Sequence, residues 1–298
     1  MGMARCIDRS GATYLVNLQW VQQNFTNLSG VVSLGPPGGQ KQVFAATHST
    51  DGDVVLKIVH PNIPTTTIDR EVMAVEQVQS PRVPRILEIG IMPSPFGDCI
   101  WIREQRVNGI TLRERLQSGP LGPTEILKLA YQMLEALTDA ERAQIVHRDV
   151  KPDNTMIDVN GDFWLLDFGI ARHLTMSALT ATAAPFGKFT PGYAPVEQFR
   201  NVQAEIDSRA DLFALGVMVY ECATEVQPFW NGANGPLDIL KRVETVQLLP
   251  LVVPCADSDS FRDLIDVMTK KRRDQRVSSV HEALDWMREI MTAEGLAT

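Results

Sequence analysis

The chain has 298 residues, 44% hydrophobic and 21% charged. These are ordinary values for a folded protein, and they exclude wholesale disorder and fibrous architectures; the length suffices for a core without staples and allows one large domain or two. With 28 Lys and Arg against 36 Asp and Glu the net charge is −8, so no basic excess exists to neutralise nucleic-acid phosphates or an anionic membrane surface. Apolar runs at 212–220 and 248–253 are far shorter than the about 20 residues of a membrane span. The opening stretch lacks the pattern of a secretory signal. Cys6, Cys99, Cys222 and Cys255 are scattered, as free thiols in a reducing compartment are. A cytoplasmic chain is expected, without nucleic acid or membrane insertion among its partners.

Residues 1–30 form an extension in which Leu18, Val21, Phe25 and Leu28 recur at helical spacing, predicting a short amphipathic helix packed on the next segment of chain. Strands are predicted at 31–34 and 42–47 across a Pro/Gly turn, then at 54–59 after Asp51-Gly52. A helix over 66–79, with Thr67 as its cap, ends at Pro81 and Pro84. Strands follow at 86–91 and 99–103. After Asn108-Gly109 the pattern turns helical, at 123–142, 211–223, 261–270 and 279–291, the last with a capping box of Ser279 and Glu282. The fold class is α+β: a β-rich first third with one main helix, then a helical remainder.

Asn160-Gly161 is the strongest short hairpin signal in the chain. A two-residue loop there sets Asn154 opposite Asp167, with Cβ atoms about 5 Å apart. An amide oxygen and a carboxylate together suit Mg²⁺, which keeps water and substrate phosphate in its other positions. Taken alone, the pair reads more readily as an ordinary polar hairpin mouth. Five residues before Asn154 lies Asp149, a carboxylate that could hold a hydroxyl nucleophile, and Lys151 could neutralise phosphate charge beside it.

His147-Arg148-Asp149-Val150-Lys151-Pro152-Asp153-Asn154, followed by Asp167-Phe168-Gly169, resembles the catalytic core of the protein kinases. The resemblance covers 31–291. It implies a bilobal domain over 31–295, with a small β-rich N-lobe at 31–103, a linking segment at 104–109 and a helical C-lobe at 110–295. Lys57 sits mid-strand on the face of Val55 and Val59, and Glu71 shares a helical face with Val75 and Val78. Two charges, each on an apolar face, are best explained by each other. The resemblance makes Lys57 the ligand of the ATP phosphates and Glu71 its holder. It implies further that Asp149 orients the substrate hydroxyl, that Lys151 stabilises phosphate charge, and that Asn154 and Asp167 hold Mg²⁺ or Mn²⁺.

Leu34, Gly35, Gly38, Gly39, Lys41 and Val43 are expected to cover the ATP phosphates. Their loop departs from the family pattern: Gly38 alone falls on a signature glycine, and Pro36 and Lys41 replace the other two. Proline offers no amide hydrogen, so weak nucleotide affinity is expected. Glu104, Gln105 and Val107 are expected at the adenine, in a register open by one residue, with either Arg103 or Glu104 as gatekeeper.

Thr190 to Gln198 is similar to the end of an activation segment, with Pro-Val-Glu where Ala-Pro-Glu is usual. The resemblance implies a buried pair of Glu197 with Arg276, Asp211 as anchor of the catalytic loop, and Thr190 against Asp149 and Lys151. Thr175, Ser177, Thr180 and Thr182 are candidate phosphate acceptors, with Arg148 as the group that binds the phosphate. Lys151 before Pro152 resembles the serine/threonine class, and Glu197-Gln198 looks bacterial. The expected function is an ATP-dependent serine/threonine protein kinase with protein substrates, a regulatory partner and activation-segment phosphorylation. The alternatives are a pseudokinase scaffold and a small-molecule phosphotransferase.

Overall fold

Asn17 opens the first helix by accepting the Trp20 N–H at 2.7 Å, satisfying one of the donors that a helix start leaves open. Helix α1 (Leu18–Asn24) then buries Val21 and passes to a buried Phe25. The computed structural model describes residues 16–35, 41–59, 78–95, 97–168, 189–200 and 205–298. They divide into two compact units, the first drawing on 16–59 and 84–107 and the second on 78–83 and most of the chain after Asn108.

The first unit is a five-stranded antiparallel sheet in the order β1-β2-β3-β5-β4: β1 (Leu28–Ser33), β2 (Lys41–His48), β3 (Gly52–Val59), β4 (Ile86–Ser94) and β5 (Gly97–Gln105). Pairing of Phe44 with Leu56 and of Leu56 with Arg103 assigns alternate residues to opposite faces. One face gathers Phe44, Ala46, Leu56, Ile58 and Trp101 into a core that also contains Val16, Val21 and Phe25. Phe25 meets the Trp101 ring edge-on at 5.3 Å between centroids. Gln42 accepts the Val16 N–H and donates to its carbonyl, each at 2.9 Å. Gly90 lies under Trp101, and a Cβ there would come within 2.6 Å of the indole. The extension therefore supplies part of the sheet's core, and the sheet begins at Leu28 rather than at residue 31.

Lys57, Val59, Ile102 and Glu104 share the opposite face, since Lys57 pairs with Ile102 and Glu104 lies two residues further along β5. Residues 60–77, which hold most of the expected 66–79 helix, lie outside the described residues; 78 and 79 are not helical.

The second unit is built around two buried helices. One is preceded by Gly122, whose N–H donates to Glu125 at 2.9 Å, and runs as predicted from Pro123 to Arg142. Before it lie β6 (Gly109–Thr111) and the short α2 (Leu112–Arg115), so the 20-residue helix is α3. After it come β7 (Thr155–Asp158), β8 (Phe163–Leu165), α4 (Val196–Phe199) and the second buried helix, α5 (Arg209–Thr224). Apolar on every side, α5 can only be interior: Leu212, Phe213, Leu215, Val217, Met218 and Val219 are all fully buried. Gly216 permits the close approach of a distant segment of chain, since a Cβ there would stand 2.6 Å from Thr269.

Among the described residues three further helices belong to the unit: α6 (Pro236–Thr245), which the sequence pattern did not predict, α7 (Ser258–Met268) and α8 (Val280–Ala293). Ser279 caps α8 by accepting the Glu282 N–H at 3.1 Å, but the reciprocal half of the expected box is absent: Glu282 accepts from Ser278 instead. The start of α8 is closed by Glu141, which takes the N–H groups of Val280 and His281. No helix among the described residues is long and apolar enough to cross a membrane.

Candidate active site

The segment that begins at His147 is held by one buried carboxylate. Asp211, fully buried in the first turn of α5, accepts the backbone N–H groups of His147 and Arg148 at 2.7 Å each. Burial pushes its carboxyl up to about 7, against the pull of those two N–H groups. The His147 ring is also buried; its Nδ1 accepts the Asp149 N–H at 3.2 Å, so its Nε2 carries the proton and donates to the Leu166 carbonyl at 2.8 Å. Phe168 packs edge-on against that ring at 4.7 Å. Arg148 takes a left-handed φ of 65°, and its carbonyl accepts from Gln198 Nε2 at 2.7 Å.

This support presents Asp149, Lys151, Asn154 and Thr190 together. Asp149 Oδ1 accepts the Thr190 hydroxyl at 2.7 Å, and Lys151 Nζ donates to that hydroxyl oxygen at 2.6 Å. Lys151 also stands 3.1 Å from Asp149 Oδ2. Asn154 Nδ2 donates to the Asp149 carbonyl and to Oδ2, both at 2.9 Å, which fixes the amide so that its oxygen is turned away from Asp149. The Thr190 hydroxyl is thus held between a proton acceptor and a cation.

The hairpin register differs from the sequence expectation by one residue. Thr155 pairs with Leu165 and Ile157 with Phe163, so Asn154 lies across from Leu166, whose N–H donates to its carbonyl at 2.8 Å. The cause is a three-residue loop in place of two. Asp158 accepts the N–H groups of Asn160 and Asp162 through its side chain, and Gly161 takes the left-handed position, φ 75°. Asp167 then departs from the strand with φ 59°, an uncommon conformation for a residue other than glycine.

In the first unit Lys57 forms a direct ion pair with Glu104, both side chains 11% exposed. Glu71 lies outside the described residues, as do Gly38, Gly39, Thr175, Ser177, Thr180 and Thr182. At the rim of the proline-bearing loop, the Leu34 N–H donates to the Val43 carbonyl at 2.9 Å and Gly35 has φ 79°; Lys41 pairs with Val59 in the ladder. The two candidates in the linking segment lie on opposite faces of β5. Arg103 turns to the other side of the sheet and pairs with Glu88 and Asp51 at 2.8 and 3.0 Å, leaving Glu104 on the side of Lys57. Gln105 closes β5, and Val107 is buried beyond it.

Glu197 and Arg276 form the expected buried fork, at 2.6 and 3.3 Å. The guanidinium also donates to the carbonyls of Lys270, Lys271 and Arg209. Sequence reasoning missed a second buried network. Tyr193 donates to Glu221, and Arg113 donates to Glu221 and to the Tyr193 oxygen, each at 2.7 Å, while reaching Asp153 at 3.3 Å. Burial and Glu221 push the Tyr193 hydroxyl far above its ordinary range, so it remains a donor. These residues are scattered over more than 100 positions, and no local spacing marks them.

Among the described residues no cluster of three His, Cys, Asp or Glu could enclose a metal. The two residues expected to hold a cation, Asn154 and Asp167, are by type an amide and a carboxylate, though Asn154 lies across from Leu166 rather than Asp167. Two hard ligands fit a small divalent cation that keeps phosphate and water for its other positions.

Residues 32–288 match the protein kinase domain family. The chain is 31% identical over 201 residues to the serine/threonine-protein kinase PknB of Mycolicibacterium smegmatis, covering 64% of this chain and 32% of that protein. It is 32% identical over 214 residues to PrkC of Bacillus subtilis, covering 70% and 32%. A further match, 40% identical over 124 residues, is to PknL of Mycobacterium tuberculosis, with 41% and 30% covered. The matched segment thus spans about a third of the length of these curated relatives. With a family match over most of its length, and with the motif residues assembled around Asp149, this chain belongs to the protein kinase family.

Proposed function

We propose that the chain transfers the γ-phosphoryl group of ATP to serine or threonine hydroxyls of protein substrates. The observation that carries this reading is the grip of Asp149 and Lys151 on the Thr190 hydroxyl. The same two groups would orient an incoming alcohol, Asp149 accepting its proton and Lys151 balancing charge on the transferred phosphoryl group. Asn154 and Asp167 would hold the divalent cation, Mg²⁺ or Mn²⁺, which supplies neutralisation of phosphate charge. Lys57 would meet the nucleotide phosphates, and Glu104, Gln105 and Val107 would line the base. Because chemistry of this kind rests on positioning and electrostatics, the buried support under the loop matters as much as the reacting groups.

We extend the reading to regulation: phosphorylation within 175–182 engages Arg148, and a separate partner brings the signal. Labelled-ATP transfer onto the protein itself and onto a generic protein substrate tests the activity. Transfer that Asp149→Asn reduces by about a thousandfold supports a kinase, an effect of the order seen when an active-site positioning or charge-stabilising group is lost. Nucleotide binding without transfer would make the chain a scaffold, and transfer to small alcohols alone would make it a small-molecule phosphotransferase.

A further inference from the structure

We propose that Glu104 competes with the nucleotide phosphates for Lys57 and so sets how tightly this chain holds ATP and ADP. The proposal rests on the reading of the chain as an ATP-dependent kinase and names a residue that tunes the binding step. Lys57 pairs with Ile102 across the β3–β5 ladder, and Glu104 stands two residues further along β5. Side chains two apart on a strand share a face, so Glu104 is a fixed diagonal neighbour of Lys57. The two are in direct ionic contact, each side chain 11% exposed. Around them the same face presents Ala45, Val59, Ile100 and Ile102, all buried.

In such surroundings an ion pair is weakly screened, and its attraction is stronger than in water. The ammonium has three donors but one charge. A phosphate that reaches Lys57 therefore meets a cation whose field Glu104 partly offsets, and gains less than it would from the same lysine with that one carboxylate neutralised. Glu104 is placed beside Lys57 by the register of the sheet, which nucleotide binding has no need to change. Its expected consequence is weak holding of nucleotide and ready release of the diphosphate product. This effect adds to that of the proline-bearing loop and is separable from it, because it acts through a single side chain.

Glu104→Gln keeps the shape and the acceptor oxygen while removing the charge. Calorimetry with Mg-ADP and with adenosine, on the whole chain, tests the proposal in two backgrounds. With Lys57 present, the variant is expected to favour Mg-ADP over adenosine about tenfold more than the parent does, an ordinary size for coupling between two groups, so that any change at the base itself cancels in the ratio. In a Lys57→Ala background the gain should vanish, since groups that act through one another are not additive. An unchanged or smaller preference for Mg-ADP over adenosine would overturn the proposal, as would a gain that survives Lys57→Ala. Thermal melts accompany each variant, and Glu104→Met serves as a second uncharged replacement if the glutamine variant does not fold. Failure of the underlying reading looks different: the unmutated chain would bind neither probe and transfer no label, and the proposal would fall with it.

Discussion

In the first unit Lys57 and Glu104 meet because antiparallel pairing puts alternate residues on one face. In the second, His147 and Arg148 are held by side chains 50 to 64 positions away in the chain, those of Gln198 and Asp211. The sheet places its charged groups through many backbone bonds and an apolar underside, none decisive alone. The helical unit places its catalytic loop through a few side-chain atoms, each with a particular N–H or carbonyl to satisfy. The first arrangement should tolerate loss of one polar group and suffer chiefly from loss of apolar volume, whereas in the second the loss of a single polar group should itself be costly.

The largest expected effect is in the helical unit. Arg276→Ala leaves Glu197 buried and unpaired, and should cost about 3–5 kcal/mol of stability, read as the shift of a urea unfolding midpoint. Arg276→Lys should rescue little, because an ammonium cannot reproduce the fork and the three carbonyl bonds. A loss below about 1 kcal/mol, the size of an exposed pair, would sink the contrast.

In the sheet unit the corresponding sensitivity should lie in packing. Phe25→Ala removes the ring between α1 and Trp101 and should cost about 3 kcal/mol. Gln42→Leu, which deletes both bonds to Val16, should cost about 1–2 kcal/mol. Thermal unfolding of the two variants ranks them, and the reverse order would break the comparison.

Gly192 sharpens it from the side of the backbone. It has φ +98°, and a Cβ would lie 2.7 Å from Gln227 Nε2, the atom that donates to the Gly192 carbonyl at 2.9 Å. Gly192→Ala should cost about 1–3 kcal/mol and lower phosphoryl transfer more than it lowers the melting temperature, because Thr190 is two residues away. Equal transfer by variant and parent at 25 °C would show that this turn does not position Thr190.

The smallest effect is expected at Asp162, whose carboxyl is held down at about 2 by hydrogen bonds from Lys128, with Gln132 and Arg82 assisting. A carboxylate depressed in the folded state contributes stability above its unfolded value near 3.8 and loses it as pH falls towards 2. Its side chain is 31% exposed, so screening leaves about 1 kcal/mol at pH 7. Urea midpoints of Asp162→Asn and the parent should differ at pH 7 and converge between pH 4 and pH 2. A difference that persists at pH 2 would mean that the bonds act without charge.

Elements whose signal is local were legible in the residue order. The α3 bounds follow from Pro123 at the first turn and the apolar stripe behind it, and α1 from Leu18, Val21 and Phe25. The cluster of Asp149, Lys151 and Asn154 follows from motif spacing, because a short loop leaves its residues few places to go. The Glu197–Arg276 pair was reached through family resemblance alone. What failed was arithmetic across turns. Asp158 and Gly161 close a three-residue loop where Asn160-Gly161 suggested two, and because a strand alternates faces, one extra residue moved Asn154 from Asp167 to Leu166.

The residue types and their spacing by themselves determined the family, the clustering of Asp149, Lys151 and Asn154 and the alternation of sheet-forming and helix-forming segments, since these depend on propensities and separations of a few residues. Only the tertiary structure decided which face of β5 carries Glu104 and which Arg103, and that the extension's Val16, Val21 and Phe25 complete the sheet's core. It alone joined Tyr193, Glu221 and Arg113 into one network. Those outcomes depend on strand register and on contacts between distant segments, where the free energy comes from burying particular groups together rather than from the order in which they occur.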